Sequence, residues 1–458
     1  MKVALIQCPQ WDLELPPLNL AYLSAYLKKE KHDVKIFDFN IGLFHEGGKN
    51  NKKYWKVSFE LDGNWRNLKK INEMGMINGQ ILDKWVYHVL KWKPRVIGFT
   101  ISMNTKIVSL MLAKKIKEAN PDVVIIFGGE ECTKYTSGLE LVKNNSIDIV
   151  IHGEGELALS QIVERIDDGE QVDNIPGVLL YRNNQIIDYG YSKFIPNLDE
   201  IPFPDFDTLP LDKYLNKKAL PMLTSRGCIN NCVYCNDRIF WKVYRFRTAE
   251  NIFAEMKHQK KRYERNFFFF NDSLLNGNIK ELERLSDIII ESGEEVNWLG
   301  NACIRKEMTP KLLKKMKNAG CKALIYGVES GSDKILKRMR RSYDVKTAEK
   351  VLRDTSKAGI LTVTNWILGF PDETKTDFLK TLHFIHKNKK YIKVSRPGGA
   401  PFVVLASTDL EKNYKDFGIA LNNIGPTWVS EDGTNTYEMR EKKAKMLRLL
   451  VKRLNMST

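Results

Sequence analysis

Histidine is scarce in this chain, and so are paired cysteines, long apolar runs and repeats. Seven histidines and seven cysteines serve 458 residues. Three of the cysteines stand together, and no second Cys/His pair follows at zinc-site spacing. Zinc takes four N or S ligands, usually in two separated pairs, so a zinc knuckle fits poorly. Seven thiols in a chain this long do not make a disulfide scaffold; they fit a reducing cytosol. No apolar run reaches about 18 residues, which leaves out a membrane-spanning helix. The opening Met1-Lys-Val-Ala-Leu-Ile-Gln is too short and strand-like for a signal peptide, so a cytoplasmic location is expected. Internal repeats, low-complexity segments and RNA-binding module signatures are also missing.

Length sets a prior of about three domains, or fewer if one is a barrel. Apolar residues make up 43% of the chain, enough for ordinary cores, and the formal net charge is +16. A basic balance attracts nucleic acid, anionic membranes or acidic substrates. Here the positive residues are scattered, with local clusters at Lys257–Arg265, Lys334–Arg341 and Arg440–Arg453. Without a nucleic-acid-binding signature, these clusters read as solvated helix faces.

The informative stretch is Thr224-Ser-Arg-Gly-Cys228-Ile-Asn-Asn-Cys232-Val-Tyr-Cys235. Thiolates are the usual protein ligands of iron–sulfur clusters, which normally take four. Cys228, Cys232 and Cys235 in one tight loop can hold three irons of a four-iron cluster and leave the fourth open. The run Ala219–Thr224 before the loop reads as a short buried strand.

Residues 1–192 alternate strands and helices. Strands are expected at Lys2–Gln7, Val34–Phe39, Val96–Thr100, Val123–Phe127 and Ile147–Ile151. Helices fall at Leu18–Glu30, Thr105–Ala119 and Glu156–Ile166. This is an α/β pattern, a doubly wound parallel sheet. Val178–Leu180 and Gln185–Tyr189 around Asn183-Asn184 read as a hairpin. Residues 41–92 break the rhythm and read as an insertion with some helix near Gln80–Leu90. Residues 193–218, with Pro196, Pro202, Pro204 and Pro210, read as a linker.

Over 219–395 the rhythm returns. Strands are expected at Ala219–Thr224, Asn266–Phe270, Val296–Leu299, Ala323–Gly327, Leu361–Leu368 and Tyr391–Val394, with helices between. This makes six β/α units, and a parallel barrel carries its chemistry at the C-terminal ends of its strands. Residues 396–458 form a small helical tail that ends in a basic amphipathic helix, about Tyr437–Leu454.

The C-x3-C-x2-C spacing directly after a strand resembles the signature of the radical S-adenosylmethionine (SAM) superfamily. That resemblance implies an open (β/α)6 partial barrel and a [4Fe-4S] cluster held by Cys228, Cys232 and Cys235. It also implies SAM on the open iron, split to a 5'-deoxyadenosyl radical. By the same resemblance Tyr234 lies at the SAM adenine. Glu329 and Ser330 of Gly327-Val-Glu-Ser-Gly331 contact the SAM ribose and methionine end. Gly369 of Gly369-Phe-Pro-x-Glu373-Thr374 sits beside the adenine. Arg305 is placed to reach the SAM carboxylate, and Asp272 and Asn301 stand at strand ends facing the mouth. Cys303, after the third strand, is a candidate for a chemical role; Cys321 reads as inert.

The N-terminal half resembles the cobalamin (B12)-binding-domain group of radical SAM enzymes. The pieces are Pro17-Leu18-Asn19, Gly128-Gly129-Glu130-Glu131, His152-Gly153-Glu154-Gly155 and Ile201-Pro-Phe-Pro204, with Ser102, Met103 and Thr105 at the same edge. They imply a Rossmann-like domain binding cobalamin. No Asp-x-His-x-x-Gly element is present, so no histidine is evident as lower ligand to cobalt. The group implies methyl transfer to an unactivated carbon or phosphorus of a small-molecule or peptide substrate, with a reductase, ferredoxin or flavodoxin as electron donor. Ring closure, rearrangement or C–C coupling on the same architecture is the alternative, and a cobalamin- or SAM-sensing binding protein is a further one. Substrate contacts are expected from the 41–92 insertion and the tail, where Ser395-Arg-Pro-Gly398-Gly-Ala-Pro401 resembles the segment after the sixth strand in relatives.

Overall fold

The structure, a computed structural model, describes residues 1–55, 63–397, 402–420, 425 and 427–457. The chain divides into two compact units, Met1–Lys217 and Lys218–Thr458.

In the first unit, short segments rich in β-branched residues form a seven-stranded sheet. The strands are β1 (Lys2–Gln7), β2 (Asp33–Asp38), β3 (Val96–Thr100), β4 (Val124–Gly128), β5 (Ile149–Ile151), β6 (Val178–Arg182) and β7 (Gln185–Asp188). Their order is β2-β1-β3-β4-β5-β6-β7, with β1 to β5 mutually parallel and β6–β7 an antiparallel hairpin. Asn183 and Asn184 both take positive φ at the hairpin turn, as a two-residue primed turn requires. Helices Leu18–Lys29, Lys106–Ala119 and Gly155–Asp168 cross between strands.

The insertion is more ordered than its composition suggested. It holds helices Phe39–Glu46, Gly48–Asn51, Leu68–Met74 and Gly79–Lys91. Trp55, Trp65 and Trp85 are buried in the same core as Ile6, Ile97 and Phe127. Each buried indole N–H that the core contains must find a partner; Trp55 donates to Asn40 Oδ1 at 2.7 Å and Trp65 to the Tyr54 carbonyl at 3.0 Å. Residues 56–62 of the insertion lie outside the described residues. The proline-rich stretch after the hairpin is fastened to this unit: the Asp205 carboxylate accepts from Ser24 Oγ and Lys28 Nζ, and Tyr214 donates to Asp38.

The second unit is a six-stranded parallel sheet in sequential order, open at both edges. Its strands are β8 (Ala219–Met222), β9 (Phe267–Phe270), β10 (Asn297–Ala302), β11 (Cys321–Glu329), β12 (Leu361–Trp366) and β13 (Val394–Pro397). Local side-chain caps start the intervening helices: Thr248, Asn278, Thr309, Asp344 and Thr374 each accept from a backbone N–H of the first turn.

Several strand boundaries differ from expectation: β8 stops at Met222, β10 runs on to Ala302 and β12 stops at Trp366. β11 runs on to Glu329, because a register shift against β12 between Gly327 and Glu329 bulges the strand end. The last strand is Val394–Pro397 and not Tyr391–Val394. Tyr391 N–H closes the preceding helix on Asn388 O, and Pro397 is tolerated because β13 is an edge strand. The 396–458 region is more than a tail. Phe402, Val404, Leu410, Phe417, Ile419 and Trp428 form one cluster with Val233 and Phe370, and helix Tyr437–Arg453 packs against the barrel. Gly398–Pro401 lie outside the described residues.

Candidate functional site

The carboxyl end of β8 leads straight into the cysteine loop, and a buried carboxylate fixes that exit. Asp272, after β9, is 1% exposed. It accepts from Thr224 N (2.7 Å), Ser225 N (2.9 Å) and Thr224 Oγ1 (2.5 Å). Burial raises its carboxyl to about 6. The Asp272 side chain is therefore spent on orienting the loop and does not face an open mouth as expected. Gly227 has φ +79°, and a Cβ there would lie 2.7 Å from Val243 O, so the turn into Cys228 admits glycine alone.

Cys228, Cys232 and Cys235 are free thiols on this loop. The Cys235 N–H donates to the Cys232 carbonyl at 3.2 Å within the loop, and burial pushes up the thiols of Cys228 and Cys235. The three cysteines are not drawn into a ready three-ligand group among the described residues. The donor set still fits an iron–sulfur cluster, which takes thiolates and tolerates donors to sulfur. Asn230 N and Nδ2 point at Cys228 Sγ at 3.5 and 3.4 Å, and Arg341 Nη1 at Cys232 Sγ at 3.2 Å.

Arg341 is a residue the sequence reading missed. It stands in the basic run Lys334–Arg341, read as a solvated face, yet its side chain is 8% exposed. Nη1 also reaches Tyr234 Oη (3.4 Å), Nη2 donates to Gly327 O (2.8 Å), and Glu329 Oε1 lies 3.9 Å away. Glu329 holds a left-handed backbone, φ +66°. A Cβ on Gly327 would fall 2.3 Å from Glu329 Oε1, so that glycine makes room for the carboxylate. Burial pushes the Glu329 carboxyl up, and Arg341 opposes the shift. Cys232, Tyr234, Glu329 and Arg341 thus form one polar cluster at the loop. A positive residue twelve positions after Glu329 was the only sequence signal for the fourth member.

The other barrel candidates are more dispersed. Asn301 donates to the Asp272 carbonyl at 3.1 Å. Arg305 Nη1 donates to the carbonyls of Asn276 and Gly277, and Nη2 pairs with Glu307; a SAM carboxylate would compete with those bonds. Ser330 is buried against Thr381, with its hydroxyl 3.4 Å from Thr381 Oγ1. Gly369 (φ +75°) lies under the C-terminal helix: a Cβ there would meet Arg440 Cγ at 2.3 Å. Its N–H donates to Glu373 Oε2, which also pairs with Lys443 at 2.7 Å. Arg440 and Lys443 are buried, so this part of the basic run Arg440–Arg453 is not a solvated face. Cys303 and Cys321 are buried, and burial raises both thiols, which keeps them neutral and poorly nucleophilic.

In the first unit, the strand order reverses between β1 and β3, and such a switch point opens a crevice at the carboxyl edge. Asn19, one residue into the helix that follows Pro17, donates to Thr100 Oγ1 at 2.6 Å at the end of β3. Leu18 beside it is buried. Thr105 Oγ1 accepts from Ser102 N (2.8 Å) and closes the turn after β3, which leaves Met103 41% exposed at the edge. β4 ends at Gly128 and is followed by Gly129 and the exposed Glu130; Gly129 is required because a Cβ would lie 2.7 Å from Ile101 O. After β5, Gly153 is required by Tyr191, 2.7 Å from a Cβ. Gly155 abuts Leu23, and the Glu154 carbonyl accepts from Ser192 Oγ. These glycines therefore answer to packing within the unit. His152 is fully buried, its ring between Tyr135 and Tyr191. An exposed apolar side chain at the crevice and a withdrawn imidazole fit a corrin that takes no protein nitrogen.

A family model described as the radical SAM superfamily matches residues 222–385. An uncharacterized methyltransferase of Pyrococcus horikoshii is 28% identical over 376 residues, 81% of this chain and 73% of the relative. An anaerobic magnesium-protoporphyrin IX monomethyl ester cyclase of Synechocystis is 21% identical over 81% of this chain and 68% of its own length. Among solved structures, the cobalamin-dependent S-adenosylmethionine radical enzyme OxsB, with aqua-cobalamin and S-adenosylmethionine bound, matches at TM-score 0.68 and 17% identity. That match covers 100% of this chain but 62% of OxsB, so the chain spans less than two thirds of it, and the likeness is one of fold.

Proposed function

We propose that this chain, whose residues 222–385 match the radical SAM superfamily and whose fold is that of the cobalamin-dependent radical SAM enzyme OxsB, is a methyltransferase. Its acceptor is an unactivated carbon, or phosphorus, of a small-molecule or peptide substrate. The observation that carries this reading is one chain with a three-thiol loop at a barrel mouth and a switch-point crevice without an accessible imidazole. The name of the Pyrococcus relative supports methyl transfer in particular.

When bound, the cluster and SAM supply radical chemistry and cobalamin supplies a methyl carrier, and these are properties of the cofactors. The chain's own residues bind and orient. Cys228, Cys232 and Cys235 hold the cluster. Asp272 fixes where their loop leaves β8. Glu329, with Tyr234 beside it, offers a buried acceptor for the hydroxyl or ammonium groups of SAM. At the crevice, Asn19, Met103 and Glu130 are the exposed residues that line the place for cobalamin, and the buried Ser102, Thr105 and the turn Gly153–Gly155 support it from within the packed unit. The electron comes from an external low-potential donor, a reductase, ferredoxin or flavodoxin.

The test is product analysis. Anaerobic turnover with a candidate substrate and a low-potential reductant should form 5'-deoxyadenosine and S-adenosylhomocysteine in about equal amounts, because radical generation and methyl supply each consume one SAM. Ring closure, the second reading favoured by the cyclase relative, forms 5'-deoxyadenosine alone. Sustained substrate-dependent turnover without S-adenosylhomocysteine rules out methyl transfer.

A further inference from the structure

We propose that Arg341 sets the reduction potential of the iron–sulfur cluster through its hydrogen bond to Cys232 Sγ. The inference rests on assigning the cluster to Cys228, Cys232 and Cys235. Cluster potentials respond to net charge and to hydrogen bonds on the ligand sulfurs. Arg341 supplies both at one atom: Nη1 lies 3.2 Å from Cys232 Sγ. A permanent cation stabilises the more negative, reduced state, and more strongly where solvent is excluded. The side chain is 8% exposed.

Its aim is fixed from the other side. Nη2 donates to Gly327 O at 2.8 Å and Nε to Tyr343 Oη at 3.3 Å, and the guanidinium stacks over the Tyr343 ring at 5.2 Å. Tyr343 in turn donates to the carbonyls of Gly327 and Val328. The planar fork is thereby held on the bulged end of β11 with one nitrogen directed at the sulfur. A residue serving only to tie β11 down would not need Nη1 on Cys232. Neighbouring Arg340 is different: it points outward, 48% exposed, and pairs with Asp409.

The experiment is an EPR-monitored redox titration of the anaerobically reconstituted full chain, without SAM, for wild type, Arg341→Gln, Arg341→Lys and Arg340→Gln. Arg341→Gln should move the midpoint to more negative potential, so that at a fixed potential near the wild-type midpoint the reduced-to-oxidised ratio falls about tenfold. Arg341→Lys should fall between, because an ammonium keeps the charge but cannot serve Gly327 O and Cys232 Sγ with a planar fork. Arg340→Gln should titrate like wild type. Full iron content with an unmoved midpoint in Arg341→Gln overturns the proposal, and so does an equal shift in Arg340→Gln. If Arg341→Gln takes up no iron, the lysine variant decides, and a wild-type midpoint there overturns it. Failure of the cluster assignment is distinct: wild type itself would then bind no iron, or the triple cysteine-to-alanine variant would bind as much.

Discussion

Replacing Asp272 separates hydrogen bonding from charge. Its folded value of about 6 lies above the ordinary aspartate value of 3.8, so the folded state holds a proton that the unfolded chain releases. Between about pH 4 and 6 the unfolded state is the one that ionises, and stability falls as pH rises, by about 3 kcal/mol in all for a shift of this size. Asp272→Asn cannot titrate, yet its oxygen can accept the two backbone N–H bonds while its amide donates to the Thr224 hydroxyl. Denaturation of both proteins across pH 4–7 should show wild type losing ground to the variant as pH rises. Parallel pH curves would refute the buried-charge account. Asp272→Ala instead orphans two N–H groups at about 1–3 kcal/mol each and should lower iron uptake. For Glu329, alanine removes a charged acceptor worth about 1.5–3 kcal/mol, so SAM should bind roughly ten- to hundredfold more weakly while iron content holds. Unchanged affinity, measured calorimetrically, would remove Glu329 from the SAM site. The cysteine loop and Glu329 stand out by motif, and the structure gathers Cys232, Tyr234 and Glu329 around one cation. Arg341 was not legible: a buried arginine and a solvated one are the same letter in a basic run, and only the Gly327 and Cys232 contacts separate them.

Elements were legible where local chemistry decides them. The hairpin turn is marked by positive φ at Asn183 and Asn184, and the helix starts by side-chain hydrogen bonds of Thr248, Thr309 and Thr374 to the first turn. Features set by distant partners were harder. The Gly327/Glu329 bulge depends on β12, and β13 is a strand of Ser, Arg and Pro whose pairing with β12 overrides poor strand propensity. Helix Tyr437–Arg453 was visible, but which of its charges turn inward was not. Two do, and they yield a prediction. Lys443 to Met leaves Glu373, buried and already pushed toward protonation by desolvation, without its cation. Breaking a buried pair from one side costs about 3–5 kcal/mol. Thermal unfolding should therefore begin at lower temperature, and SAM affinity should drop, because Glu373 also accepts from Gly369 N–H. Loss of stability below about 0.5 kcal/mol would mean that the pair is solvated in solution.

At the scale of the whole chain, the two α/β units followed from the rhythm of short apolar strands and amphipathic helices, which each unit encodes within itself. The place of Phe402, Phe417 and Trp428 did not, because they have no periodicity and reveal themselves only by packing in one cluster with Val233 and Phe370. The chain's scarcity of histidine supports its last prediction. The first unit contains four: His32 at the amino terminus, His45 on the Lys213 carbonyl, His88 on the helix Gly79–Lys91, and His152. Only His152 follows a strand at the crevice edge, and it is fully buried between two tyrosine rings. Moving it onto cobalt would strip that packing and reopen the loop that Gly177 and Ser192 hold by backbone hydrogen bonds. The protein should therefore bind hydroxocobalamin with the nucleotide tail displaced and no imidazole on the metal. EPR of the Co(II) state reports this directly, since an axial nitrogen splits each cobalt line. Unsplit lines are expected in wild type and in His152→Gln alike. Nitrogen splitting in wild type that vanishes in His152→Gln would show that the crevice rearranges to recruit the histidine, and absence of any cobalamin binding would leave ring closure or another radical reaction as the better account of the barrel.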